Sequence, residues 1–175
     1  MKILAVCGSL QAKSKNLTLL MSAQRLAPPG VEIILFDGLR DLPHFNPDLE
    51  GDVPPDSVVR WREALAGSEA VLMASPEYGF SLPGVLKNAV DWVIGSGELE
   101  RKVVAVTAAV PGPERGRRAL QALCDTLSAV RAEIVGGEPI QIGREFESQV
   151  AALIGRLVAA VKTREMTPTG GSQTA

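Results

Sequence analysis

The chain contains one histidine, two cysteines and one tyrosine, so three side chains that carry much of enzyme chemistry are nearly absent. His44 alone cannot build a multi-histidine metal site, and no Cys/His cluster surrounds Cys7 or Cys124, so no structural or catalytic zinc is expected. With two cysteines in 175 residues a disulfide framework is not needed; buried free thiols in a reducing compartment are the expectation. No apolar run approaches the length that spans a bilayer. Only four apolar residues separate Lys2 from Cys7, too few for the core of a secretory signal, so the start reads as a buried strand of a cytoplasmic protein. Net charge is −2 with Lys and Arg scattered, which leaves no basic stripe for nucleic acid and no polybasic membrane anchor. There is no G-x-S-x-G elbow, and Ser75 or Ser81 with a distant His44 has no visible third partner, so a serine hydrolase is a poor reading.

What is present is an alternation of short apolar runs and helical patterns. Strands are expected at residues 2–7, 31–36, 70–74 and 102–107, with a broken fifth at 133–135 and 140–142. Helices are expected at 16–27, 57–66, 84–94, 117–130 and from 144 or 145 to 162. Ser57 and Ser81 are candidate caps, and Pro83 suits the first turn of the third helix. Continuous apolar strands alternating with helices imply an α/β fold: a doubly wound sheet of five parallel strands with helices on both faces. One domain over residues 1–163 and a disordered tail over 164–175 complete the expectation. Sheets of this kind bind ligands beyond the carboxyl ends of their strands. That rule selects the loops 8–16, 75–83 and 108–116, which are also the richest in Gly, Ser and Pro.

The first of these, within CGSLQAKSKNLTLL (Cys7 to Leu20), runs from a strand into a helix through Gly and hydroxyl residues. Main-chain N–H groups and the positive end of the helix dipole make such a turn an anion site, with Ser9, Ser14, Asn16 and Thr18 as added donors. The bland alternative is that Ser14 or Asn16 simply caps the helix. The second loop reads SPEYGFSLPGVLKNAVDW (Ser75 to Trp92). Pro76 forces Ser75 to be extended, which leaves the Glu77-Tyr78-Gly79 tip exposed to offer main-chain groups to a flat heterocycle, with Tyr78 packing on it. Equally, Tyr78 packs locally and Gly79 only makes a turn.

GSLQAKSKN, LPHFNPD (Leu42 to Asp48) and SPEYGFSLPGVLKNAVDW together resemble the signature stretches of the NADPH-dependent FMN reductase family, over roughly residues 1–160 and in the family's order. The resemblance implies a flavodoxin-like fold, bound FMN, and NADPH or NADH as electron donor. It implies a small-molecule acceptor such as a quinone, azo compound, metal oxyanion or free flavin, and a homodimer or homotetramer. It also implies roles for residues. Ser9, Gln11, Ser14, Lys15, Asn16 and Leu17 would hold the FMN phosphate, and Pro76, Glu77, Tyr78 and Gly79 would run along the isoalloxazine ring. No protein nucleophile is required, so no catalytic residue is named. Gln11 stands where the family commonly has Arg, Gly79 where Asn is usual, and the third loop AAVPGPERGRRA departs from the family's Ser/Pro/Gly/Gly pattern. Arg115, Arg117 and Arg118 are candidates for the 2′-phosphate of NADPH, against a plain reading as solvated residues at a helix start. His44 and Phe45 read mainly as part of a turn-anchoring loop, and otherwise as the acceptor side of a partner's pocket. The alternative function is an FMN-binding electron carrier or redox-responsive interaction protein without efficient nicotinamide turnover.

Overall fold

Short apolar strands separated by helix-length segments cannot pair as hairpins; parallel pairing through crossover helices is the arrangement their connections allow. The computed structural model describes residues 1–51, 53–112 and 114–166 and shows this arrangement. Its elements are β1 (Lys2–Cys7), α1 (Lys15–Arg25), β2 (Glu32–Phe36), α2 (Asp56–Ala66), β3 (Ala70–Ala74), α3 (Gly84–Asp91), β4 (Val103–Val110), α4 (Arg117–Ala129), β5 (Glu133–Gln141) and α5 (Phe146–Met166). The strands form one sheet in the order β2-β1-β3-β4-β5, every neighbouring pair parallel. The order reverses direction between β1 and β3, so the loops that follow these two strands diverge to opposite faces and leave a crevice between them.

The strand side chains alternate between two cores, as the period of two requires. Leu4, Val6, Val71, Met73, Val104 and Val106 face α2, α3 and α4. Ile3, Ala5, Leu72, Val103 and Ala105 face α1 and α5. Trp61 and Trp92 are fully buried on the first face, in keeping with their helix pattern. Each still satisfies its indole N–H: Trp61 Nε1 donates to the Ala89 carbonyl and Trp92 Nε1 to the Pro43 carbonyl, both at 2.8 Å.

The long connection between β2 and α2 holds two short 3-10 turns, Gly38–Asp41 and Pro47–Leu49, and is anchored on α3. Asn88 accepts from the Phe45 N–H at 2.7 Å and donates from Nδ2 to the Pro43 carbonyl at 2.9 Å. Phe45 meets Trp92 edge-on with centroids 5.2 Å apart. The Asn46 side chain accepts from Asp48 N and caps the second turn. The loop at 42–48 is thus a turn-anchoring segment, and His44 lies exposed on it. At the other end of the sheet, Lys102 Nζ closes α2 by donating to the carbonyls of Leu65 at 3.0 Å and Ser68 at 2.5 Å. Burial, with Arg164 as a secondary cause, pushes the Lys102 ammonium below its ordinary pKa.

Several local expectations give way. α2 begins at Asp56 with Pro55 at its N-cap and no side-chain cap bond, so Ser57 lies inside the first turn. Pro55 has a fixed φ suited to helix entry, and Asp56 brings the favoured negative charge. Pro83 likewise occupies the N-cap of α3, while Ser81 is taken up in a tight turn with Tyr78. α3 stops at Asp91, where the ladder tightens to bonds three residues back, Val93 N to the Val90 carbonyl at 3.0 Å and Ile94 N to the Asp91 carbonyl at 3.3 Å, and the Trp92 carbonyl accepts from Arg62 Nη2 at 2.9 Å. β4 runs on through Val110, and β5 is continuous across Gly136 and Gly137 with a register shift opposite Val106 and Ala108. Both thiols are free but only half-buried. α5 extends through Met166, into the stretch expected as a tail; residues 167–175 of that expectation lie outside the described residues.

Candidate functional site

The turn after β1 is pinned to β3 at once, since Gly8 N donates to the Ala74 carbonyl at 2.8 Å. It is then closed by Ser14 N donating to the Gln11 carbonyl at 3.1 Å and by Gln11 N donating to Ser9 Oγ at 3.3 Å. Ser14 is the N-cap of α1 and is buried; its Oγ accepts from Asn16 N at 3.2 Å and Leu17 N at 3.4 Å. The capping alternative therefore holds for this side chain. Asn16 is also buried, and its Oδ1 accepts from Ala109 N at 2.8 Å, which ties α1 to the end of β4. Gln11, Lys13 and Lys15 are exposed around the helix N-terminus. A cavity of about 190 Å³ opens on the β2 side of this loop, lined among others by Cys7, Ser9, Gln11, Phe36 and Arg40.

The loop after β3 folds back as a miniature hairpin. Tyr78 and Ser81 exchange main-chain hydrogen bonds of 3.1 and 3.0 Å, with Gly79 (φ 57°) and Phe80 (φ 62°) as the two central residues. Positive φ at both central positions is the pattern of a type I′ turn. Gly79 supplies it without strain, and Asn is the other residue that tolerates it. The position where the family usually has Asn is thus met by a residue with the same backbone freedom. Nothing lies within 4 Å of where a Gly79 side chain would start. Tyr78 is 55% and Phe80 68% exposed, so the tip presents two aromatic rings and its own peptide groups to solvent.

Glu77 has a partner that no local pattern around it marks. Its Oε2 accepts from the main-chain N–H groups of Arg118 at 3.1 Å and Ala119 at 3.3 Å, in the first turn of α4. The Arg118 guanidinium stands over the Phe80 ring, 4.3 Å from its centroid. The first, second and third loops are therefore joined by Asn16 and Glu77. The one available signal was negative: α4 is preceded by Gly116, which has no side chain with which to cap it.

This donor set suits FMN. A phosphate finds a helix N-terminus surrounded by hydroxyl, amide and ammonium groups, and a flat ring finds exposed peptide groups flanked by aromatic side chains. Among the described residues no group of three His, Cys, Asp or Glu side chains is placed to hold a metal ion, and no helix is long and apolar enough to cross a membrane.

The strand order β2-β1-β3-β4-β5, with its reversal between β1 and β3, places the protein among the flavodoxin-like folds. Within that class the chain belongs to the NADPH-dependent FMN reductase family, whose profile matches residues 1–146. It is 40% identical over 116 residues to an NAD(P)H-dependent FMN reductase of Pseudomonas aeruginosa, a match covering 66% of this chain and 61% of that one. It is 34% identical over 128 residues to a quinone reductase of Pseudomonas putida, covering 71% and 68%. Among solved structures, a flavoenzyme NAD(P)H:(acceptor) oxidoreductase from Paracoccus denitrificans superposes with a TM-score of 0.77 at 29% identity, covering 90% of this chain and 97% of that one.

Proposed function

We propose that this protein is an FMN-dependent NAD(P)H oxidoreductase that passes electrons to a small acceptor, in the class of quinones, azo compounds, metal oxyanions or free flavin. The observation that carries this reading is that the α1 N-terminus and the exposed Tyr78–Phe80 tip follow the carboxyl ends of two adjacent parallel strands, β1 and β3. The redox chemistry is that of bound FMN, a two-electron relay between nicotinamide and acceptor. The chain's own residues bind and orient. Ser9, Gln11, Lys15 and the positive end of α1 face the phosphate, with Ser14 holding that helix end in shape by accepting the Asn16 and Leu17 N–H groups. The Pro76–Gly79 main chain borders the ring, and the exposed Tyr78 leaves one side open to flat molecules of several kinds. Arg115 and Arg117 lie exposed at the third loop, in reach of an anionic donor approaching along it.

A cytoplasmic setting, where NAD(P)H is available, goes with this activity. A homodimer or homotetramer goes with it too: Leu49, Val53 and Ile94 are exposed large hydrophobics on or beside the 37–56 connection and the end of α3.

The deciding experiment is the visible spectrum of the freshly purified protein, repeated after adding NADPH without air. Bound flavin that bleaches supports the reductase. Bound flavin that stays oxidised means an electron carrier without an efficient nicotinamide site. A colourless protein that FMN cannot reconstitute overturns both.

A further inference from the structure

We propose that Glu77 is a positioning residue that fixes the first turn of α4, where the third loop ends, to the flavin-side turn, 77–80; the inference rests on the flavin site proposed above. α4 begins without the means to stabilise its own end. Its N-cap is Gly116, with φ 83°, and its first turn carries Arg117 and Arg118 but no acid. Two cations at the positive end of a helix dipole are the reverse of the favoured arrangement. The Glu77 carboxylate, 41 residues away, supplies both missing elements: acceptors for the Arg118 and Ala119 N–H groups, and a negative charge at the helix end. A local cap is excluded by packing as well as by φ. A Cβ at Gly116 would stand 3.0 Å from Val110 Cγ1 and 3.2 Å from Ala108 Cβ.

A separate contact makes the same connection. The Phe80 ring lies against the Arg118 guanidinium. Arg118 is therefore gripped twice by one short turn, through its main chain by Glu77 and through its side chain by Phe80. The approach to the third loop is held from its other end by Asn16 on Ala109 N. The Glu77 side chain is committed to α4, and its main chain is what remains to face a ligand. Without the carboxylate, the Tyr78–Ser81 bonds still close the flavin-side turn, but the third loop and the first turn of α4 lose the anchor that keeps them beside it.

The test uses the full chain loaded with FMN and the variants Glu77→Ala and Glu77→Gln. Native-state trypsin cleavage after Arg115, Arg117 or Arg118 reads the opening of the loop directly. In Glu77→Ala it is expected to be about tenfold faster, the loss of one good cap. The KM for NADPH should rise several-fold more than kcat falls, and FMN affinity should change less than about threefold. Glu77→Gln keeps the acceptor geometry and should recover most of the difference. Unchanged cleavage together with a tenfold loss of FMN affinity would mean that the carboxylate serves the flavin itself, and the proposal falls. If Glu77→Ala does not fold, Glu77→Asp takes its place: one methylene shorter, it must also cleave faster, and unchanged cleavage overturns the proposal. If the unaltered chain takes up no FMN, the flavin reading fails alone, and the cleavage rates still decide whether Glu77 anchors the loop.

Discussion

The Asn16 side-chain oxygen accepts the Ala109 main-chain N–H at 2.8 Å, joining the first turn of α1 to the end of β4 across 93 residues. Asn16 is buried, so its removal exposes that N–H to no replacement partner. Asn16→Ala is expected to lower unfolding stability by about 1–3 kcal/mol, the penalty of a buried donor left unmade. Urea unfolding of the protein without added FMN checks this. A change below about 0.5 kcal/mol would mean that water takes over the bond.

Much of this fold could be read in the sequence because its strands carry a two-sided signal. Ala70–Ala74 is apolar at every position and buried at every position, which only a sheet covered on both faces requires. The places where the reading slipped are those where a distant group decides. Ser57 and Ser81 looked like caps by residue type, but prolines beside them had already set the entry to each helix. Ser14 and Asn16 admit two readings from residue type, donors in a phosphate loop or a plain helix cap. The structure gives the Ser14 oxygen to its own helix, the cap that local sequence offers, and the Asn16 oxygen to Ala109 N, a partner 93 residues on that local sequence does not show. The role of Glu77 was illegible for the same reason, since its partners lie 41 and 42 residues on.

Asn88 links two motif stretches that are far apart in the chain. It behaves like a strand neighbour to the 42–48 loop, accepting from Phe45 N and donating to the Pro43 carbonyl. Asn88→Ala loses both bonds and should cost about 2–3 kcal/mol, with most of the loss in local order of the loop. Hydrogen exchange at the Phe45 amide is the direct measure, and an unaltered protection factor would remove Asn88 from this role.

At Gly79 the cost of substitution is purely conformational, because φ is 57° and no atom stands near the added Cβ. Gly79→Ala should destabilise by about 1 kcal/mol and a β-branched Gly79→Val by more, while Gly79→Asn should be close to neutral. Thermal unfolding of the three variants checks the order. A destabilisation by Asn equal to that of Val would show that space, not backbone, limits this position.

Glu69 accepts the Lys2 N–H at 2.6 Å, and that bond holds its carboxyl below the ordinary 4.5, with desolvation pulling the other way. A carboxyl whose pKa is lowered by folding stabilises above its unfolded pKa, and the contribution is lost as the pH falls through the folded value. The unaltered protein should therefore be more stable than Glu69→Gln at neutral pH. The gap should stay below about 1 kcal/mol, because the group is mostly solvated. It should close as the pH falls below 4.5. Melting curves of the pair at about pH 7 and about pH 3 check this, and a gap that persists in acid would assign it to packing instead of charge.

Gln11 is exposed beside the N-terminus of α1, where a phosphate would gain from a cation as well as from the helix. Its amide can donate a hydrogen bond but brings neither charge nor a two-pronged donor. Gln11→Arg supplies both, and with no buried neighbour to displace it should leave folding stability unchanged. A charge-assisted bond added at a site that already binds should tighten FMN by roughly 5- to 30-fold, and the added affinity should shrink as salt is raised. Titration of FMN fluorescence at two ionic strengths measures it. The same substitution should leave riboflavin, which lacks the phosphate, bound as before. Equal gains for FMN and riboflavin would place the arginine on the ring and move the phosphate away from the first loop; a gain for FMN alone puts the phosphate at the α1 N-terminus, where the fold directs an anion.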